Sequence, residues 1–229
     1  MILCIETATT VCSVSLCHKG KLLEKRESTE EKSHASLLTV FIEDILKETG
    51  IKAAELDAVA VSKGPGSYTG LRIGVSAAKG IAYAAGLPLI AIPTTGIMYH
   101  GARTDEDYDY YCPMIDARRM EVYTAVYDKK GNTVIPISAL VITENSFSEI
   151  LEKGKVLFFG DGADKCRDII SHPSASFNGS FHTSSAYMCT PAQEAYDNQD
   201  FEDTAYFEPF YLKDFIATIP KKNIYGRSK

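Results

Sequence analysis

The chain has 229 residues, 45% of them apolar and 24% charged, with a formal net charge of −6. That length suits two small units sharing one interface, and the composition is that of an ordinary soluble globular protein. The acidic balance argues against a stand-alone grip on nucleic acid, which needs a basic surface to meet phosphates, but not against joining a complex that has one.

The start, "MILCIETATT", has no charged leader and no long apolar core, and no apolar run approaches the roughly 18 residues of a bilayer span. A cytoplasmic location with no membrane partner is the expectation. The six cysteines (Cys4, Cys12, Cys17, Cys112, Cys166, Cys189) form no C-x-x-C pair. They are expected to be reduced thiols and not a disulfide or zinc framework, with Cys4 and Cys12 as small apolar fillers of strands.

In chain order, "MILCIETA" reads as a buried strand, followed by "VCSVSLCHKG" and "KLLEKRES" around a turn at Lys19-Gly20. Three strands with tight links predict an antiparallel meander. "SHASLLTVFIEDILKETG" is a helix with Ser33 as its cap and Gly50 as its stop. Its residues Leu37, Leu38, Val40, Phe41, Ile42, Ile45 and Leu46 cover an arc of roughly 240°, against the ~100° or somewhat more that a sheet-packed helix needs. Leu37 and Val40 are left over, to tuck under a loop or to meet a partner.

"LDAVAVS" is a short apolar strand, and the glycine-rich "SKGPGSYTGLRIGVSAAKG" leads into a helix over Tyr68–Ala85, ended by Gly86 and Pro88. The loop fails three motifs. A Walker A loop counted from Gly64 would need Gly at Thr69, and Leu71 follows Gly70 where lysine would stand. A G-x-G-x-x-G fingerprint fits Gly64 and Gly66, but the next glycine, Gly70, comes one position late. A G-x-S-x-G elbow finds Pro65 two before Ser67. Gly70, Gly74, Ala78 and Ala82 instead recur every fourth residue, with Ala77 and Gly80 close by. Interior glycines cost roughly 1 kcal/mol each against alanine. Such a stripe points to close helix packing or to ligand contact.

"PLIAIP" is a further strand, and a short helix over Thr95–Arg103 follows. The acidic "GARTDEDYDYY" marks a boundary between units at 1–103 and 104–229. A second strand set comes next: "YYCPMIDA", "MEVYTAVYDKKG" and "TVIPISALVIT". A helix capped at Asn145 or Ser146 runs through Glu152. "KVLFFGDGADKCRDII" reads as strand, turn and helix. "SSAYMCTPAQEAYDNQ" is a helix with a kink or break at Pro191, and "IPKKNIYGRSK" is a basic frayed tail. The halves echo each other as a duplicated α/β unit with a mixed sheet.

Four stretches together, "ILCIETATTVCSVSL", "SHASLLTVFIEDIL", "LDAVAVSKGPGSYTGLRIGVSAAKGIAYAAGLPLIAIPT" and "DARRMEVYTAVY", resemble the TsaB (YeaZ) family. The likeness is dense over the first 125 or so residues and continues weakly through "FFGDGA" and "EPFYLKD". It implies an actin-like, sugar-kinase-like fold of two tandem ribonuclease-H-like domains, the second reduced. It implies a non-catalytic subunit that pairs with a TsaD-type enzyme, with a TsaE-type ATPase joining and tRNA met indirectly. The product is threonylcarbamoyladenosine beside the anticodon.

Related catalytic subunits carry H-x-x-x-H for metal where this chain has Thr94 and Met98; Thr94 is a poor ligand there, and a thioether is too soft for a hard cation. His100 stands alone nearby. Actin-like ATPases follow the first strand's acid with a glycine phosphate loop; here Glu6 is followed by "TATT". The family fold thus makes Glu6, Thr7, Gly160, Asp161 and Gly162 the nucleotide-site positions, with no cofactor expected beyond weak or partner-dependent binding of ATP or ADP. Leu37, Val40, Gly70, Gly74, Ala77, Ala78 and Ala82 are the expected partner interface, which also allows a homodimer when the partner is missing. The competing readings are an active ATPase or sugar kinase of the same fold, and a peptidase.

Overall fold

The computed structural model describes residues 1–30, 34–103 and 108–213. The Ser33 cap, part of the acidic boundary and the basic tail therefore lie outside the described residues.

Two five-stranded mixed sheets are built in the same way. In the first, β1 (Ile2–Glu6), β2 (Cys12–His18) and β3 (Lys21–Ser28) form the antiparallel meander. Then β4 (Ala58–Gly64) and β5 (Leu89–Pro93) add in parallel beside β1, giving the order β3-β2-β1-β4-β5. In the second, β6 (Tyr110–Asp116), β7 (Glu121–Asp128) and β8 (Thr133–Val141) are antiparallel neighbours. β9 (Val156–Phe159) and β10 (Ala175–Asn178) extend the other edge in parallel, giving β10-β9-β6-β7-β8. The repeated order, three meandering strands followed by two parallel ones, is the ribonuclease-H-like pattern given twice, the actin-like architecture.

The crossovers differ. In the first unit, α1 (His34–Thr49) carries the chain from β3 to β4, and α2 (Tyr68–Ala85) carries it from β4 to β5. Leu38, Ile42 and Ile45 of α1 and Val75, Ala78 and Ala82 of α2 bury against Leu3, Ile5, Val14, Val59 and Val61. Each large side chain removed from water there contributes roughly 2 kcal/mol. In the second unit, the helix expected through Glu152 is one turn, α4 (Ser148–Leu151). Neither predicted cap residue caps it: Phe147 occupies that place at φ 66°, and Ser146 Oγ accepts the Thr143 N–H at 2.9 Å to close the preceding turn. The helix expected after "FFGDGA" is a single 3-10 turn at Asp164–Cys166. The second unit is the reduced one.

α2 follows the sequence closely. Ser67 caps it by accepting the Gly70 N–H at 3.2 Å, and Gly86 ends it in the left-handed region at φ 66°. α3 (Thr94–Ala102) lies between the sheets, with Ile97 in the core of the first and Met98, Tyr99 and Ala102 in that of the second.

A 3-10 turn (Ser185–Met188) and α5 (Cys189–Asp197) return the chain to the first sheet. Met188, Cys189 and Ala192 pack on Ile2, Cys4, Cys17, Ala58 and Ile90, the face opposite α1 and α2. Pro191 neither kinks nor breaks α5: it sits in the first turn, where an N–H has no intrahelical partner. This return corrects the cysteine reading. Cys17 and Cys189, 172 residues apart, meet with Cα atoms 5.4 Å apart and form a disulfide, while Cys4, Cys12, Cys112 and Cys166 are free and buried. No spacing rule reveals a pair that only the docking of α5 on β2 brings together.

Candidate functional site

β1 and β4 run parallel as neighbours, and open α/β folds receive ligands at the carboxyl ends of such strands. Glu6 ends β1 and is fully buried. Its Oε1 accepts the Ala8 N–H at 2.6 Å, and its Oε2 has no partner among the described residues. Burial pushes its carboxyl up to about 7, although the Ala8 N–H pulls the other way.

The loop after Glu6 is clamped from two sides. On one side stand the glycines of the "GPGSYTG" stretch. A Cβ at Gly66 would lie 2.2 Å from the Ala8 carbonyl oxygen, at Gly70 2.1 Å from that of Thr7, and at Gly74 2.2 Å from Thr7 Oγ1. Thr7 Oγ1 donates to the Gly70 carbonyl at 2.8 Å, and the Ser67 N–H donates to Ala8 at 2.6 Å. These glycines let the first loop of the sheet sink onto α2.

On the other side lie three buried residues of the returning chain. Thr183 and Thr9 share a hydroxyl contact of 2.6 Å, and Ser185 and Ser13 one of 2.7 Å. Ser184 and Ser13 both donate to Glu27 Oε2, at 2.5 and 3.0 Å. Sequence reasoning missed Thr183, Ser184 and Ser185, which carry no local motif.

The second loop is closed as well. Gly160 N–H donates to Asn178 and Gly162 N–H to Met114, at 3.1 and 3.0 Å, while Asp161 Oδ1 accepts the Asp116 N–H at 2.9 Å. A Cβ on Gly160 would lie 2.5 Å from both the Met114 carbonyl oxygen and the Met98 methyl. Thr94 and Met98, at the family's metal-ligand positions, are both buried, and Thr94 Oγ1 has no partner among the described residues. No group of three or more His, Cys, Asp or Glu is arranged for a metal among the described residues. Of the nucleotide-site positions, Glu6 and Thr7 stand together at one loop, and Gly160, Asp161 and Gly162 at the other.

The predicted interface divides. Gly70, Gly74, Ala78 and Ala82 are buried against the chain's own first loop and sheet, so they are packing residues and not an outer face. Leu37 and Ala77 are half-buried on the same core, and Val40 stays 45% exposed. The outward side of α2 holds a second set of small residues, Ser76, Gly80 and Ala84, all exposed. A Cβ at Gly80 would meet nothing within 4 Å. Tyr83 beside them is 85% exposed. The signal for this face was Gly80, a helix glycine off the four-residue ladder of the others.

The family model described as TsaD, tRNA N6-adenosine threonylcarbamoyltransferase, matches residues 23–221. The TsaB protein of Escherichia coli, named for tRNA threonylcarbamoyladenosine biosynthesis, is 37% identical over 133 residues, 58% of this chain and 57% of that one. Its Haemophilus influenzae counterpart is 34% identical over 122 residues, 53% and 51% of the two chains. The chain thus spans little more than half the length of these two relatives. The Bacillus subtilis TsaB is 26% identical over 219 residues, 93% of each chain. The solved structure of YeaZ from Pseudomonas aeruginosa superposes with a TM-score of 0.80 at 26% identity, covering 92% of this chain and 99% of that one. The length of the family match, the named relatives and the shared fold all agree: the chain belongs to that family and, within it, to the TsaB (YeaZ) proteins.

Proposed function

We propose that this chain is a non-catalytic cytoplasmic subunit that pairs with a TsaD-type enzyme and supports threonylcarbamoyl transfer to the adenosine beside the tRNA anticodon. The observation that carries the reading is the outward face of α2. Gly80 gives up helix stability with no packing reason inside the chain. It lies between Ser76 and Ala84, with exposed Tyr83 beside it and Val40 exposed on α1. A backbone that another helix can approach closely, with an exposed aromatic ring beside it, suits an actin-like partner's helices. A TsaE-type ATPase joins the pair.

The loops support the same reading. In a phosphate-binding relative the amides after β1 and β9 would be open to a ligand. Here the Thr7 and Ala8 amides after β1 donate to the Ser62 hydroxyl and the Glu6 carboxylate, and the Gly160 and Gly162 amides after β9 donate to the Asn178 and Met114 carbonyl groups. Any ATP or ADP is therefore held with the partner's help. A subunit without reacting groups activates its partner by binding the active arrangement more tightly, and about 1.4 kcal/mol of differential is tenfold. The test is reconstitution with ATP, threonine, bicarbonate, a TsaC-type enzyme and tRNA, omitting one protein at a time. Modification is expected only with this chain and the TsaD-type enzyme both present. Full modification without this chain, or modification by this chain without the enzyme, contradicts the reading.

A further inference from the structure

The hairpin turn between β6 and β7 holds two adjacent arginines, Arg118 at φ 69° and Arg119 at φ 54°. Left-handed backbone is the province of glycine and asparagine, and consecutive bulky residues there persist only when their surroundings impose it. The surroundings are on hand. Lys165 Nζ reaches into the turn, donating to the carbonyl oxygens of Arg119 and Glu121 at 2.8 and 2.7 Å and to the Asp116 carboxylate. Asp116 Oδ1 also accepts the Arg118 N–H at 2.8 Å, and the Asp116 N–H is itself held by Asp161. The turn is fixed from below by a buttress that leaves both arginine side chains out in solvent.

The charges are arranged to the same end. Asp116 is paired with Lys165, and Glu121 with Lys213. Neither guanidinium of Arg118 or Arg119 has an ion pair or hydrogen bond among the described residues. A strained turn that spends lysines on the neighbouring acids and leaves two arginines unpaired is built to offer positive charge outward.

We infer that Arg118 and Arg119 form a phosphate-contacting tip that touches the RNA backbone directly. The shape decides between anions. A free nucleotide wants an enclosing pocket, and this is a hairpin turn with exposed side chains; grooves of about 460 and 580 Å³ lie elsewhere, one among Gly20, His100 and Tyr187 and one among Lys63, Glu202 and Phe210. An extended polyphosphate backbone needs no pocket, only positioned cations. The inference rests on the proposed role in tRNA modification and adds that this chain, acidic overall, contributes its own contact to the RNA.

The test measures fluorescence anisotropy of a labelled tRNA transcript with this chain, alone and mixed with the TsaD-type partner, across a salt series. Wild type is compared with the double variant Arg118→Gly, Arg119→Gly and with Arg118→Lys, Arg119→Lys. The glycine pair removes the charge while relieving the backbone, so its thermal midpoint should be unchanged or raised. Its tRNA affinity should fall about tenfold or more at 0.1 M salt, with the salt slope shallower by about 1.5. The lysine pair should keep most of the affinity. Equal tRNA binding by wild type and the glycine pair, an equal loss in the lysine pair, or no tRNA binding by wild type overturns the inference. Partner capture is read separately by pull-down. Its failure with wild type contradicts the proposed pairing, while the chain's own tRNA affinity still reports on the arginines.

Discussion

The two five-stranded units share one strand order but not one cover. The first lays α1 and α2 over its sheet, and the second makes the same crossovers with one helical turn and a 3-10 turn. Where helices are long, an inner face packs the sheet and an outer face is left to meet something else. Where they are stubs, there is no outer face to offer. The difference teaches that α2 is two surfaces in one element: Gly70, Gly74, Ala78 and Ala82 inward, Ser76, Gly80 and Ala84 about 200° round.

The sharpest way to break that division is to charge the inner side. Ala78 is fully buried in the first unit's core. Ala78→Arg should cost about 4 kcal/mol by burying an unpaired guanidinium, read by urea unfolding. Near-wild-type stability would place Ala78 on the outside.

Glu6 gives the next effect. Its carboxyl is raised to about 7, mainly by burial, from 4.5. Between those values the unfolded chain ionises while the folded one keeps its proton, so stability falls as pH rises from about 4.5 to about 7, by about 3 kcal/mol. Glu6→Gln should remove that slope and be the more stable protein above pH 7. An unchanged slope would mean that Glu6 is solvated.

Gly70→Ala should cost about 2 kcal/mol, because its Cβ would drive against the Thr7 carbonyl oxygen. Gly80→Ala should do the reverse and stabilise by about 0.5–1 kcal/mol, because there is open space and only helix propensity changes. Thermal unfolding of both checks the pair. Shifts of one sign would dissolve the distinction between the two faces.

Much of the fold was legible because local signals coincide with tertiary ones. An apolar run marked β1, alternation marked β2 and β3, and Gly86 ended α2 where the structure ends it. The failures have physical causes. Both faces of α2 carry small residues, so periodicity found the stripe but not the side that meets the sheet. β10 is four residues long and half-buried, too short for a pattern. The Cys17–Cys189 pair and the Thr183 to Ser185 clamp join residues 157 to 174 positions apart, which only tertiary packing brings together. Glu6 was visible as the acid ending β1, but its lone unpartnered oxygen was not.

The most direct test of the central claim is Gly80→Arg. The side chain enters open space, so the folded state should be kept, with circular dichroism and thermal midpoint close to wild type. The arginine should hold a partner helix away and abolish capture of the TsaD-type enzyme, together with tRNA modification in the reconstituted mixture. A folded Gly80→Arg protein that captures the enzyme as well as wild type does would contradict the account, because the outer face of α2 would then not be where the partner sits.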